Sequence, residues 1–107
     1  MVQLKKFDVR FSAISYIRSL SMIRIWAKVM KKDKILKQFM FEKEGSIDYS
    51  EFFDYLREIC ENLDIATPVL IKTHLFNYAK YNNVRFTKSD FIEPISFDRL
   101  VLENCSL

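Results

Sequence analysis

Apolar and polar residues alternate most clearly over residues 22–42, where two runs rich in β-branched and aromatic residues flank a short polar segment. The two runs are MIRIWAKVM and ILKQFMFE, and the segment between them is KKDK. This pattern is typical of a β-hairpin. Residues 1–21 alternate only weakly, most clearly over residues 7–11, and we expect an N-terminal arm or an accessory strand or helix there.

The parity of the hairpin loop decides which side chains share a face of the sheet, because a shift of one residue exchanges every partner. An odd loop such as residues 32–34 places Ile25 opposite Phe41 and buries the phenylalanines of the second strand together. An even loop places Lys28 opposite Lys37, a like-charge pair that costs stability. We therefore favour the odd loop, and the absence of Gly or Asn at the tip argues against a tight turn.

Helical spacing follows the hairpin. Asp48 and Glu51 resemble a capping box, and they precede an apolar stripe that predicts a first helix. The stripe comprises Phe52, Phe53, Leu56, Ile59, Cys60 and Leu63. Thr67 and Pro68 suit the cap and first position of a second helix, although β-branched residues over 69–76 leave a strand as the alternative.

These elements predict a single α+β domain over residues 22–107. Its small antiparallel sheet contains the hairpin of residues 22–42 and a C-terminal strand near residues 95–103, ISFDRLVLE. The two helices, at about residues 49–63 and 68–81, pack on one face of the sheet. In the C-terminal strand we expect Leu100 and Leu102 on one face and Val101 on the other.

Composition limits the function classes. A chain of 107 residues has room for one core, and its single glycine excludes a phosphate-binding loop. Its two cysteines lack the spacing of a disulfide framework or zinc site, so we expect a reducing, cytoplasmic setting. No apolar run is long enough to span a membrane. The charge is uneven, with 10 basic against 2 acidic residues in 1–41 and 7 against 12 afterwards.

Candidate catalytic residues are few and poorly placed. His74 has no carboxylate among its helical neighbours, and Cys60 lies on an apolar stripe where a thiol usually packs as a small hydrophobe. The acidic row of the first helix, Glu51, Asp54, Glu58 and Glu61, lies opposite that stripe and so should face water. We predict no catalysis, no cofactor, no metal and no small-molecule substrate.

The hairpin is the candidate functional element. In the odd register its outer face carries Trp26, Met30, Leu36 and Met40, an apolar patch that needs cover from residues 1–21 or another chain. We therefore predict a small interaction module that binds a protein partner or itself through this face. The alternative is a nucleic-acid-binding module that uses Trp26 with the basic residues of the hairpin. Those are Arg24, Lys28, Lys31, Lys32, Lys34 and Lys37.

Overall fold

The computed structural model of the chain describes residues 22–106 as an α+β fold, as the sequence predicts. The expected N-terminal arm, residues 1–21, lies outside the described residues. The strands are β1 (Met22–Lys31), β2 (Lys34–Glu44), β3 (Asn83–Thr87) and β4 (Arg99–Asn104). The helices are α1 (Phe52–Leu63) and α2 (Lys72–Tyr81), with short 3-10 turns at Tyr49–Glu51 and Lys88–Asp90.

The four strands form one antiparallel sheet in the order β2-β1-β4-β3. The C-terminal strand therefore lies in the centre beside β1, and β3 forms the edge strand on its other side. Alternate residues of each strand point to the helices, and these residues form the core. Leu100 and Leu102 are buried there while Val101 lies on the other face, which confirms the faces predicted for β4.

The hairpin adopts the favoured register over most of its length. Ile25 pairs with Phe41, and Lys28 pairs with Gln38. The loop itself differs from the expectation, because the turn contains only residues 32 and 33, and Lys34 already belongs to β2. A β-bulge allows the two-residue turn and the favoured register to occur in the same hairpin, because the pairing shifts by one residue between Val29 and Met30.

The tight turn forms without glycine because a distant residue supports it. Lys32 has a φ of 55°, in the left-handed region that non-glycine residues seldom adopt. Its backbone N–H donates to the side-chain carboxylate of Asp98, and the Asp98 N–H donates to the Met30 carbonyl at 2.8 Å. The segment before β4 thus holds the hairpin tip in place.

Helix α1 is close to its predicted position. Asp48 caps the 3-10 turn that precedes it, and the Asp48 carboxylate accepts bonds from the Ser50 hydroxyl and then the Ser50 N–H, which lowers the pKa of that carboxyl. The prediction that Glu51 completes a capping box with Asp48 is wrong, because the Glu51 carboxylate lies 3.8 Å from the Lys43 ammonium instead. The prediction that Phe53 belongs to the buried stripe is also wrong, because Phe53 is 47% exposed and Tyr55 is buried instead.

Helix α2 begins later than predicted, at Lys72 instead of residue 68, and it settles the helix-or-strand ambiguity over residues 69–76. Residues before it are held extended, since the Val69 N–H donates to the Asp90 carbonyl at 2.8 Å. His74 and Tyr78 form the buried side of the helix, whereas Ile71 is 51% exposed. The final strand also starts later than predicted, at Arg99 rather than near residue 95.

Candidate interaction surface

The face of the sheet turned away from the helices carries three of the four predicted interaction residues. On this outer face Trp26 lies beside Met40, and Met30 lies beside Ile35 across the bulge. Met40 is 44% exposed and Ile35 is 43% exposed, while Trp26 and Met30 are half-buried. Sequence reasoning missed Ile35, because only the shift at the bulge moves its side chain onto this face.

Leu36 is the predicted residue that the structure does not bring to the outer face. It is the extra residue of the bulge, so no residue of β1 pairs with it. It lines a pocket of about 270 Å³ together with Val29, Ile65 and Phe97, all on the helix side of the sheet. The bulge turns its side chain away from Trp26 and Met40. The outer apolar group is therefore Trp26, Met30, Ile35 and Met40, which we call the outer patch.

Polar contacts hold Trp26 in place at the centre of the outer patch. Its indole N–H donates to the Gln38 side-chain oxygen at 3.0 Å. The Lys28 ammonium lies 4.1 Å from the centroid of the indole ring and 3.0 Å from a Glu103 carboxylate oxygen. Such a cation over an aromatic ring is attracted by the ring's quadrupole. The ring is therefore ordered before any partner arrives.

The six basic residues proposed for nucleic-acid contact do not form one surface. Arg24 makes an ion pair with Glu42 at 2.8 Å, and the Lys28 ammonium is engaged with Glu103 and Trp26. Lys37 lies on the helix side, where its ammonium donates to the Leu63 carbonyl at the end of α1. Each of these three cations is therefore already ion-paired or hydrogen-bonded to another described residue.

The other three, Lys31, Lys32 and Lys34, lie at the hairpin tip and make no ion pair with another described residue. Lys88 and Arg99, from other parts of the chain, lie near Asp98 at this same end of the sheet. The Lys32 N–H and then these positive charges lower the pKa of the Asp98 carboxyl. The five side chains form what we call the tip cluster.

The edge of the sheet at β2 borders the outer patch. Strand β2 pairs with β1 on one side, and no strand among the described residues pairs with its other side. A groove of about 440 Å³ runs along this edge and is lined by Trp26, Gln38, Phe39 and Met40. A long edge strand beside apolar side chains is a template for pairing with another chain.

His74 has a carboxylate partner that the local sequence did not reveal. Its Nε2 lies 3.4 Å from an Asp90 oxygen, and its Nδ1 accepts the Ile71 N–H at 3.1 Å. Because Nδ1 accepts a hydrogen bond, the proton of the neutral ring is on Nε2 and points to Asp90. Both ring nitrogens are occupied and the ring packs 4.5 Å from that of Phe86, so the pair fastens α2 to the turn after β3.

The other buried ionisable groups are poorly suited to chemistry. Burial raises the pKa of the Cys60 thiol to about 11, which leaves it protonated at neutral pH. Burial likewise raises the pKa of Tyr78, whose hydroxyl has no hydrogen-bond partner among the described residues. Within residues 22–106, no three His, Cys, Asp or Glu side chains come together where a metal ion could be held.

None of the helices in this same part of the chain is long and apolar enough to cross a membrane. Comparisons of the chain with protein-family models, with curated proteins and with solved structures found no match.

Proposed function

We propose that this chain is a small non-catalytic interaction module that associates through the outer patch of its sheet, with a protein partner or with itself. The observation that supports this proposal is that Trp26, Met30, Ile35 and Met40 lie in neighbouring positions on the face of the sheet opposite α1 and α2. Apolar patches with a polar rim mark interaction sites on protein surfaces. Here the rim consists of Arg24, Glu42, Lys28 and Glu103.

The fixed position of Trp26 favours binding. Tryptophan is enriched among the residues that contribute most to interface affinity, and burying one that is already ordered costs less side-chain entropy. The contacts from Gln38 and Lys28 supply that order. Met40 beside it is flexible and polarisable, which allows it to adapt to the shape of a partner.

The non-catalytic part of the proposal rests on how the reactive groups are used. The Nδ1 of His74 accepts the Ile71 N–H, and its Nε2 lies beside the Asp90 carboxylate. Cys60 is buried, and burial raises the pKa of its thiol. We also propose a cytoplasmic, reducing location, because Cys60 and Cys105 are both free thiols.

Charge insertion into the outer patch tests the proposal. We expect Met40→Glu to weaken self-association or partner binding of the full chain, since it places an ionised carboxylate in the interface. Phe76→Glu is the matched control, because Phe76 is 60% exposed but belongs to α2, away from the outer face. Sedimentation velocity over a concentration series gives the result. Equal effects of the two variants would contradict the outer patch as the site.

Nucleic-acid binding is the second candidate, and the tip cluster is the observation that favours it. Lysine and arginine side chains at one end of a sheet attract phosphates, with an affinity that falls steeply with salt. Reversing Lys31, Lys32 and Lys34 to Glu should then abolish binding of a single-stranded RNA at low salt. Lys72 and Lys80 of α2, reversed to Glu together with the exposed Arg85 of β3, change the net charge by the same amount and provide the control. No binding by the unmodified chain would remove this candidate.

A further inference from the structure

We infer that the partner of the outer patch is an acidic protein segment, whose apolar side chains cover the patch and whose carboxylates pair with Arg85 and Arg99 on the same face of the sheet. This inference rests on the proposed function, because it states which kind of partner the outer patch selects. It is supported by the positions of the two arginines and by the charges around them.

Arg85 and Arg99 extend the outer face beyond the outer patch. In the ladder between β1 and β4, Arg99 lies opposite Met30. In the ladder between β4 and β3, Arg85 lies opposite Val101 and is exposed. Directly opposite residues of an antiparallel pair share a face, so the two arginines are diagonal neighbours on the outer face. The outer patch thus covers β2 and β1, and the arginines cover β4 and β3.

The two arginines have no carboxylate of their own among residues 22–106. The outer-face carboxylates of Glu42 and Glu103 are each paired with a different cation. The Asp98 carboxylate accepts the Lys32 N–H at the hairpin tip and makes no ion pair with the neighbouring Arg99. At diagonal positions the Cβ atoms lie roughly 7 Å apart, so the two positive charges repel each other. A carboxylate placed between them relieves that repulsion.

The patch and the arginines have complementary roles in binding. The guanidinium group can bind a carboxylate through two parallel hydrogen bonds, which fixes the orientation of an acidic side chain. Charged pairs at the rim of an interface mainly select the partner, whereas the buried apolar centre supplies most of the affinity. The distance from β2 to β3 is roughly 14 Å, which about five residues of an extended segment can cross.

The distribution of charge favours a protein segment over a nucleic acid. Glu103 lies opposite Trp26, and Glu42 follows Met40 on the same face of β2. A nucleic acid has a phosphate at every nucleotide, so a strand over Trp26 would bring phosphates close to these carboxylates. The Lys28 ammonium also occupies one face of the indole ring, and the other three residues of the outer patch have no ring on which a base could stack.

Charge also argues against the other occupants that this chain could supply. Residues 1–21 contain four basic residues and one acidic residue, so their net charge has the wrong sign to pair with the arginines. On the outer face of a second copy, Glu44 is the one strand carboxylate without an ion pair among the described residues. Contact between two copies therefore offers one such carboxylate for two arginines, and we expect it to be weaker than binding of an acidic segment.

Peptide selection on the dilute full chain tests the inference. The probe is a displayed library of random peptides of about ten residues, long enough to cross the sheet. We expect the selected peptides to combine apolar residues with Asp or Glu. Arg85→Glu with Arg99→Glu should change the preference to Lys and Arg. Lys72→Glu with Lys80→Glu, which changes the net charge by the same amount on α2, should keep the acidic preference.

The affinity of a selected peptide gives a quantitative test. We expect binding, followed by Trp26 fluorescence, to weaken by roughly tenfold in the double arginine reversal and in Met40→Glu, and to change by less than about twofold in the α2 control. The peptide should also dissociate any self-association seen by sedimentation velocity, because both use the outer patch. If the double reversal fails to fold, Arg85→Gln with Arg99→Gln should remove the acidic preference without creating a basic one.

The outcomes separate this inference from the proposed function. Selected peptides without an excess of acids, or none at all, overturn the inference; if Met40→Glu abolishes binding of the non-acidic peptides, the outer patch remains the site. Acidic peptides that bind the double reversal equally well also overturn it, because their carboxylates then bind elsewhere. Binding of single-stranded RNA in place of any peptide makes nucleic acid the ligand and overturns it too. Acidic peptides that depend on the arginines but not on Met40 overturn both proposals.

Discussion

The buried hydroxyl of Tyr78 offers a stability prediction whose sign is unusual for a core substitution. The side chain is 1% exposed, and its ring packs edge-on against Phe52 at 5.1 Å, but its hydroxyl has no hydrogen-bond partner among the described residues. A buried polar group without a partner costs about 1–3 kcal/mol of desolvation. Tyr78→Phe keeps the ring and removes that group. We expect the free energy of unfolding to rise by about 1 kcal/mol.

Tyr55→Phe is the matched control, because the Tyr55 hydroxyl does have a partner and accepts the Asp48 N–H at 3.2 Å. We expect this variant to lose about 1 kcal/mol, so the two substitutions should move stability in opposite directions. Urea denaturation at equilibrium measures both, and about 1 kcal/mol corresponds to about 4 °C in the melting temperature for a domain of this size. If Tyr78→Phe destabilises the fold as much as Tyr55→Phe does, the Tyr78 hydroxyl has a partner and the reasoning is refuted.

Three further predictions concern acid stability, thiol reactivity and strand register. Because the pKa of Asp98 is lowered in the folded chain, the folded chain binds a proton at this carboxyl less readily than the unfolded chain does. Asp98 therefore stabilises the fold fully above its usual pKa of 3.8, and this stabilisation is lost as the pH falls through the folded pKa. In an acid titration, the free energy of unfolding should fall less for Asp98→Asn than for the original chain. A thiol reagent should label Cys105 rapidly in the folded chain and Cys60 only on unfolding, and mass spectrometry that finds equal rates would contradict the burial of Cys60. Deleting Leu36 should keep the fold, because it removes only the bulge, whereas deleting Met40 should cost several kcal/mol, because either Phe39 or Phe41 must then leave the helix side of the sheet; similar melting temperatures for both deletions would contradict the register.

The main pairing of the hairpin could be predicted because the information is local. Only one parity buries the phenylalanines together and sets Arg24 against Glu42, and the structure has that parity along most of the strands. The turn could not be predicted in the same way. Asp98 supports the left-handed Lys32 from far along the chain, and the bulge then restores the parity that the short turn would have reversed.

The start of α2 could not be predicted from the local sequence either. Thr67 and Pro68 carry a local start signal, but the bond from Val69 to Asp90 holds this stretch extended. The helix starts only where His74 can accept the Ile71 N–H. Tertiary hydrogen bonds therefore outweigh a local capping preference of about 1 kcal/mol.

The candidate surface was predictable to the extent that it follows strand alternation. Trp26, Met30 and Met40 share a face because side chains alternate along a regular strand. Ile35 lies on the outer face and Leu36 does not, because a bulge interrupts that alternation. No local sequence signal marks the bulge. The engagement of Lys28 with Glu103 was equally hidden, since it requires β4 to lie beside β1.

Trp26, the single tryptophan of the protein, reports directly on whether another chain covers the outer patch. Acrylamide quenching of its fluorescence in the full-length chain should be efficient at the lowest protein concentration. We expect quenching to fall, with a blue shift of the emission, as the concentration rises and the patch becomes covered. A tryptophan that is already shielded in the dilute monomer would show that the chain covers its own patch, and this result would contradict the account.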